Sequence, residues 1–173
     1  MKEPAATARA YKFYFAYGSN MAAERMTRRI PAAEIFCAAK LAAYSLQFHK
    51  VGSDGSGKCD VVQCDSPGAA VYGVLFRVQQ HDLLELDRYE GPGYSRTTVT
   101  VATDSGEILA AATYVALKSN PQLLPYSWYK EHVLRGATVA GLPASYIATL
   151  KSVECVEDPD RARHMRELAI YGE

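Results

Sequence analysis

Two short segments hold residues whose types and spacing could do chemistry. In Phe15-Ala16-Tyr17-Gly18-Ser19-Asn20-Met21, an apolar run that reads as a strand over 11–17 stops at Gly-Ser-Asn and passes at once into a helix-compatible stretch over 21–29. A strand that ends this way and runs into a helix start leaves several convergent backbone N–H groups unpaired, a nest suited to a carboxylate or a developing oxyanion. The same residues also fit a plain turn in which Gly18 redirects the chain and Asn20 caps the helix. The second segment covers residues 83–94. Leu83, Leu86 and Glu90 stand at i, i+3 and i+7, which puts Glu90 on the buried edge of a helix that Gly91 caps and Pro92 stops. At such a position, burial and the negative end of the helix dipole both disfavour the anion, the condition for a carboxyl group to shuttle protons near neutral pH. Periodicity alone equally allows a glutamate that frays into solvent.

Other constellations lead less far. Residues 52–59 nearly spell a phosphate-binding loop but lack the Ser or Thr that holds magnesium, and 60–64 reads as strand where a helix is needed. A glycine–serine hairpin loop fits them better. Ser19 could be matched with His49, His81, His132 or His164 as a hydrolase, yet there is no nucleophile elbow and no histidine has a motif partner. Cys37, Cys59, Cys64 and Cys155 form no CxxC pair. Cys59 and Cys64 with His49 could offer three ligands, but reduced cysteines acting as small hydrophobes suit the spacing better, so no metal is expected. The 12 tyrosines could stack on bases, but no basic groove accompanies them. Lys plus Arg and Asp plus Glu are both 19, which argues against nucleic acid or an anionic membrane as partner and leaves little repulsion against self-association. Residues 1–10 are polar, lack the apolar core of a signal peptide and read as a flexible segment. No apolar run approaches membrane-spanning length, so the expected location is the cytoplasm.

The elements that must position Gly18 and Glu90 are mostly strands at first and helices later. The 173 residues are expected to form one domain over 11–173 with a full-sized core. One long or bent strand is expected over 35–50, followed by strands over 61–64 and 69–78. In the last of these Tyr72, Val74, Phe76 and Val78 share a face at period two. A helix over 80–90 precedes two β-rich runs, 97–102 and 108–117, joined by a turn at Asp104-Ser105-Gly106. Beyond Pro121, Tyr126, Tyr129 and Val133 share a helical face that Gly136 is expected to close. Pro143 opens the next helix, with Ile147, Leu150 and Val153, and Asp158 is expected to cap the last one. This order implies an α+β fold around a mainly antiparallel sheet or small barrel.

With these segments together, a resemblance emerges. Phe15-Ala16-Tyr17-Gly18-Ser19-Asn20 followed by Leu86-Asp87-Arg88-Tyr89-Glu90-Gly91 resembles the γ-glutamylcyclotransferase superfamily. Tyr129-Lys130-Glu131, Gly136-Ala137, Gly141-Leu142-Pro143 and Tyr146 resemble the γ-glutamylcyclotransferase branch itself, so that the likeness runs from about residue 11 to 153. It implies a small mixed or antiparallel β-barrel flanked by helices, with loop and glutamate meeting in one cavity. Position by position, Glu90 matches the family's catalytic acid/base. Tyr14, Phe15, Ala16, Tyr17, Gly18 and Ser19, with Asn20 ending the loop, match its substrate-binding strand end. Tyr129 and Tyr94 match cavity tyrosines. Met21 stands where a leucine is common, and residues 52–58 match no family motif.

The implied reaction is intramolecular: the α-amine of a γ-glutamyl amide attacks its own γ-carbonyl, closes 5-oxoproline and releases the amine, with no metal or organic cofactor. A γ-glutamylamine such as ε-(γ-glutamyl)lysine, a carrier-bound γ-glutamyl group, or a non-catalytic ligand-binding module are the alternatives the resemblance leaves open. Glutathione fits less well, because the glutathione-specific branch differs around loop and glutamate. The resemblance also implies a small-molecule substrate and a homodimer.

Overall fold

The computed structural model describes residues 11–172, so the flexible segment expected over 1–10 lies outside the described residues. Along the chain run β1 (Tyr11–Ala16), a 3-10 turn (Ser19–Met21), α1 (Ala23–Arg29), β2 (Glu34–Ala42), β3 (Tyr44–Val51), β4 (Gly57–Gln63), β5 (Ala70–Gln79) and α2 (Gln80–Glu90). A second 3-10 turn (Gly91–Gly93), β6 (Tyr94–Thr103), β7 (Ile108–Ala116), α3 (Ser127–Val139), α4 (Ala144–Ser152), α5 (Arg161–Leu168) and a last 3-10 turn (Ala169–Tyr171) follow. Five strands close into a barrel in the order β1-β5-β2-β6-β7, and β3 and β4 form a separate two-stranded sheet. Every neighbouring pair in the barrel is antiparallel except the seam, where β1 meets β7 in parallel through Tyr14 and Ala112. This is the α+β barrel flanked by helices that the sequence implies.

Packing explains where the local readings needed correction. The run over 35–50 is two strands, not one: Ala43 adopts a left-handed φ of 61° and turns the chain out of the barrel into the β3–β4 hairpin. On β5, Val74, Phe76 and Val78 are buried as expected, Tyr72 is half-buried, and Leu75 on the opposite face is buried too. Gly136 does not close α3, which continues to Val139. It lies instead where α3 presses on the loop after β1, and a Cβ there would fall 2.5 Å from the Ala22 nitrogen and from Met21 Cβ. Asp158 is not the cap of α5; Asp160 accepts from the Arg163 N–H in that role. Asp158 is buried among the Trp128 indole N–H and the Arg163 guanidinium, at 2.8 and 2.6 Å. Pro143 stands one place before α4, as its N-cap.

The helix expected over 80–90 is α2 with the same bounds. Its Leu83 and Leu86 are buried, and a capping box between Gln79 and Asp82 fixes its start. Directly after it, Gly91 at φ 65° turns the chain so that Tyr94 opens β6.

Candidate active site

Glu90 leaves α2 with only 15% of its side chain exposed, facing the loop that follows β1. The Asn20 side-chain amide donates to its Oε1 at 3.0 Å and the Arg29 guanidinium, from the last turn of α1, donates to the same oxygen at 3.1 Å. Among the described residues, Oε2 has no hydrogen-bond partner. Asn20 spends its second N–H on the Tyr14 hydroxyl, at 2.9 Å, and its own Oδ1 is buried without a partner. An unsatisfied buried acceptor costs about 1–3 kcal/mol, so this amide is held for the carboxylate at the expense of stability. In the loop itself, the Met21 and Ala22 N–H groups return to the Gly18 and Ser19 carbonyls, at 3.0 and 3.3 Å. The N–H groups of Ser19 and Asn20 are left without a backbone acceptor among the described residues, as the strand-to-helix pattern suggested.

Tyrosines wall the cleft, and one peptide organises two of them. The Cys59 N–H of β4 donates to the Tyr129 hydroxyl at 3.0 Å, while the Tyr94 hydroxyl donates to the Cys59 carbonyl at 2.6 Å. On the other side the Tyr17 hydroxyl donates to the Tyr114 carbonyl, and the Tyr114 hydroxyl to Asp87 at 2.8 Å. Burial raises the hydroxyl pKa of Tyr14, Tyr17, Tyr94 and Tyr129, so all four remain protonated. Burial likewise pushes the Cys59 thiol up to about 12, which makes it a packing group and not a nucleophile. Gly18 is tight against this wall: a Cβ on it would stand 3.0 Å from Cys59 Cβ and 3.3 Å from the Tyr129 hydroxyl.

The recess enclosed by the loop, Glu90 and the tyrosines measures about 30 Å³, room for a water or two. Past Ser19, Glu90, Tyr94 and Tyr129 it widens into a vestibule of about 390 Å³. Five cations line the vestibule: Arg25, Arg29, Lys50, Lys58 and Arg163. Ser19 accepts from Arg25 at 3.2 Å, and Arg25 in turn pairs with Glu167 of α5 at 2.6 Å. No histidine bonds Ser19 among the described residues, which leaves the hydrolase pairing without support. Arg25 also stands 3.5 Å from the fully buried His132.

Comparison with known proteins bears on this geometry. The model of an AIG2-like family matches residues 70–150. Human γ-glutamylcyclotransferase is 36% identical over 150 residues, which span 82% of this chain and 78% of that protein. The chain belongs to the γ-glutamylcyclotransferase family. Within it, the bovine γ-glutamylcyclotransferase is 32% identical over 148 residues, again 82% of this chain and 78% of the relative. A solved structure of a γ-glutamyl cyclotransferase superposes with a TM-score of 0.80 at 29% identity, covering 91% of this chain and 99% of that one. A yeast γ-glutamyl cyclotransferase specific to glutathione shares the fold alone, with 11% identity and a TM-score of 0.54.

In this family member the structure brings Tyr14, Tyr17, Gly18, Ser19, Asn20, Glu90, Tyr94 and Tyr129 around one recess. Phe15 and Ala16 do not line it: both are packed in the barrel core, where the Phe15 carbonyl accepts from Thr113 at 2.8 Å. Sequence reasoning missed Arg29, Arg25, Tyr114, Cys59, Lys50 and Lys58. Arg29 had a usable signal, since it ends the helix that starts from the loop. The lysines and Cys59 had none, because the hairpin that delivers them belongs to no motif and forms a two-stranded sheet apart from the barrel.

Proposed function

We propose that this protein is a γ-glutamylcyclotransferase in which Glu90 is the acid/base of an intramolecular cyclisation. The observation that carries the proposal is the state of the Glu90 carboxylate at the recess: Oε1 is anchored by Asn20 and Arg29 while Oε2 has no hydrogen-bond partner among the described residues. In this reading the reacting γ-carbonyl sits at the mouth of the recess, between the loop and Glu90, and the rest of the substrate lies in the vestibule. Oε2 accepts a proton from the α-ammonium, the freed nitrogen attacks the γ-carbonyl carbon, and the oxygen of the tetrahedral intermediate settles on the Ser19 and Asn20 N–H groups. The C–N bond to the leaving amine then breaks as Glu90 returns the proton to its nitrogen. The second proton shed by the ring nitrogen passes through the same carboxylate to the released amine, so that a neutral lactam and an ammonium leave. Holding the substrate folded between the loop and Glu90 supplies the proximity that a chain able to rotate freely in water lacks. The tyrosine hydroxyls, protonated through burial, orient the substrate and exclude water that would compete as nucleophile. Human and bovine relatives of the same name at 36% and 32% identity support the activity.

Among the described residues no helix is long and apolar enough to cross a membrane. The cytoplasm is the compartment that goes with this reading, supported by four free cysteines. A homodimer goes with it too, supported by the zero net charge, and sedimentation velocity tests that assembly. The catalytic assignment is tested by following 5-oxoproline release from γ-glutamylalanine with the wild type and Glu90→Gln. The substitution keeps the size and one oxygen to accept from Asn20 and Arg29, so the circular dichroism spectrum is unchanged and turnover falls by about 10²–10⁴-fold or more. Near-normal release by a folded Glu90→Gln enzyme would sink the assignment.

A further inference from the structure

Four of the five vestibule cations have an acid of their own. Arg25 pairs with Glu167, Arg29 with Glu90, Lys58 with Asp54 and Arg163 with Asp158, at 2.6, 3.1, 2.7 and 2.6 Å. Lys50 is the exception. It is only 8% exposed, yet among the described residues its ammonium has no carboxylate and no hydrogen-bond acceptor, only the face of the Tyr94 ring 4.6 Å from the centroid. Partial burial lowers its pKa. The hairpin sharpens the point, because Lys50 of β3 stands directly opposite Lys58 of β4. Two like charges facing each other across a strand pair are unfavourable, and Asp54 neutralises only one of them. Room is also kept for this ammonium: a Cβ on Gly93 would lie 2.7 Å from Lys50 Nζ.

We infer that Lys50 determines the leaving group, by receiving the α-carboxylate of an amino acid joined through its α-amine to the γ-glutamyl group. The inference rests on the cyclotransferase reading and deepens it. Lys50 lines the vestibule and not the inner recess, so an anion paired with it lies outside the reacting centre, on the side from which the leaving amine departs. An α-carboxylate follows the scissile nitrogen by a single carbon, which keeps it close to Tyr94, shared by both compartments. A neutral amide in its place leaves the ammonium as lonely as in the free enzyme. A lysine joined through its side-chain amine carries its carboxylate four methylenes further out.

The test compares kcat/KM for γ-glutamylalanine and γ-glutamylalaninamide, two substrates identical except for the charge at that carboxylate. The wild type favours the acid by about tenfold or more, as for a charge-assisted hydrogen bond made or missed. In Lys50→Gln the ratio falls to about one, with the loss for the acid mainly in KM, and Lys50→Arg restores most of the preference. Gly93→Ala, which displaces the ammonium while keeping Lys50, lowers the ratio in the same direction and covers the case of a poorly folding Lys50 variant. Turnover of both substrates without discrimination by the wild type, or a ratio unchanged in Lys50→Gln, overturns the role of Lys50 and leaves the cyclotransferase reading standing. No 5-oxoproline from either substrate overturns both.

Discussion

Gly136→Ala probes how the helical layer and the catalytic loop are joined, and its sign can be worked out from the structure. Taken as an ordinary helix interior position, the change should stabilise α3, because alanine is better than glycine there by about 1 kcal/mol. Against this, the new Cβ would stand 2.5 Å from the Ala22 nitrogen, the Met21 carbonyl carbon and Met21 Cβ. Carbon contacts need about 3.5–4.0 Å, so helix and loop must part by roughly 1 Å. Two of the three atoms are backbone, so no side chain can swing away to absorb the shift. Overpacking of this kind costs about 1–3 kcal/mol, and with backbone opposite, the upper part of that range applies. A net loss of about 1–2 kcal/mol remains, which for a chain of this length lowers Tm by roughly 2–8 °C. The same displacement reaches Ser19–Met21, the turn that carries the proposed donors, and about 1 Å of misplacement there costs about 10²-fold in kcat/KM. Thermal denaturation together with 5-oxoproline kinetics checks both halves. A Gly136→Ala protein as stable and as active as the wild type would refute the contact as described.

Gly18→Ala pushes a methyl group into Cys59 Cβ and the Tyr129 hydroxyl at 3.0 and 3.3 Å, and should cut kcat/KM by at least about 10²-fold while the fold survives; activity like the wild type would return this loop to a plain turn. Acid stability offers an independent check through α5. The His132 hydrogen bond, helped by the Arg25 charge and opposed by burial, holds Glu167 at about 2, below its usual value of 4.5. Because the folded value is the lower one, the stabilisation from this carboxylate is complete above pH about 4.5 and is lost as the pH falls towards 2. Urea midpoints of wild type and Glu167→Gln should therefore converge across that interval, and a gap that stays constant would show that the carboxylate charge contributes nothing.

What the chain reveals of itself depends on how local the cause is. The bounds of α2 are legible because apolar spacing starts it and Gly91-Pro92 ends it, and Glu90 inherits its place from that periodicity. The turn at Ala43 is not, since an alanine in a left-handed conformation gives no Gly or Pro signal, and the break is imposed by the hairpin beyond it. Gly136 looks like punctuation in one dimension and is a point of contact in three. Asp158 and Asp160 compete for one cap, and the choice is made by Trp128, which stands in another helix. In the site, the loop and Glu90 are legible as a pair only through resemblance to a family. Arg29 could have been found from its place at the end of the helix that follows the loop, whereas Lys50 reaches the site by folding, from a segment whose own sequence asks for nothing.

The seam between β1 and β7 has a consequence for how activity is acquired. Tyr14, whose hydroxyl begins the chain of bonds through Asn20 to Glu90, sits in the single residue pair that shuts the barrel. The neighbouring bond from Thr113 to the Phe15 carbonyl joins residues 98 apart in sequence, so closure gathers in a long loop of chain after the local hairpins have formed. On the ribosome, β1 must wait for nearly a hundred further residues before its second edge is covered. Competence therefore arrives in one late step, and during refolding the onset of turnover marks the closing of the barrel more directly than any spectroscopic measure of helix or strand content.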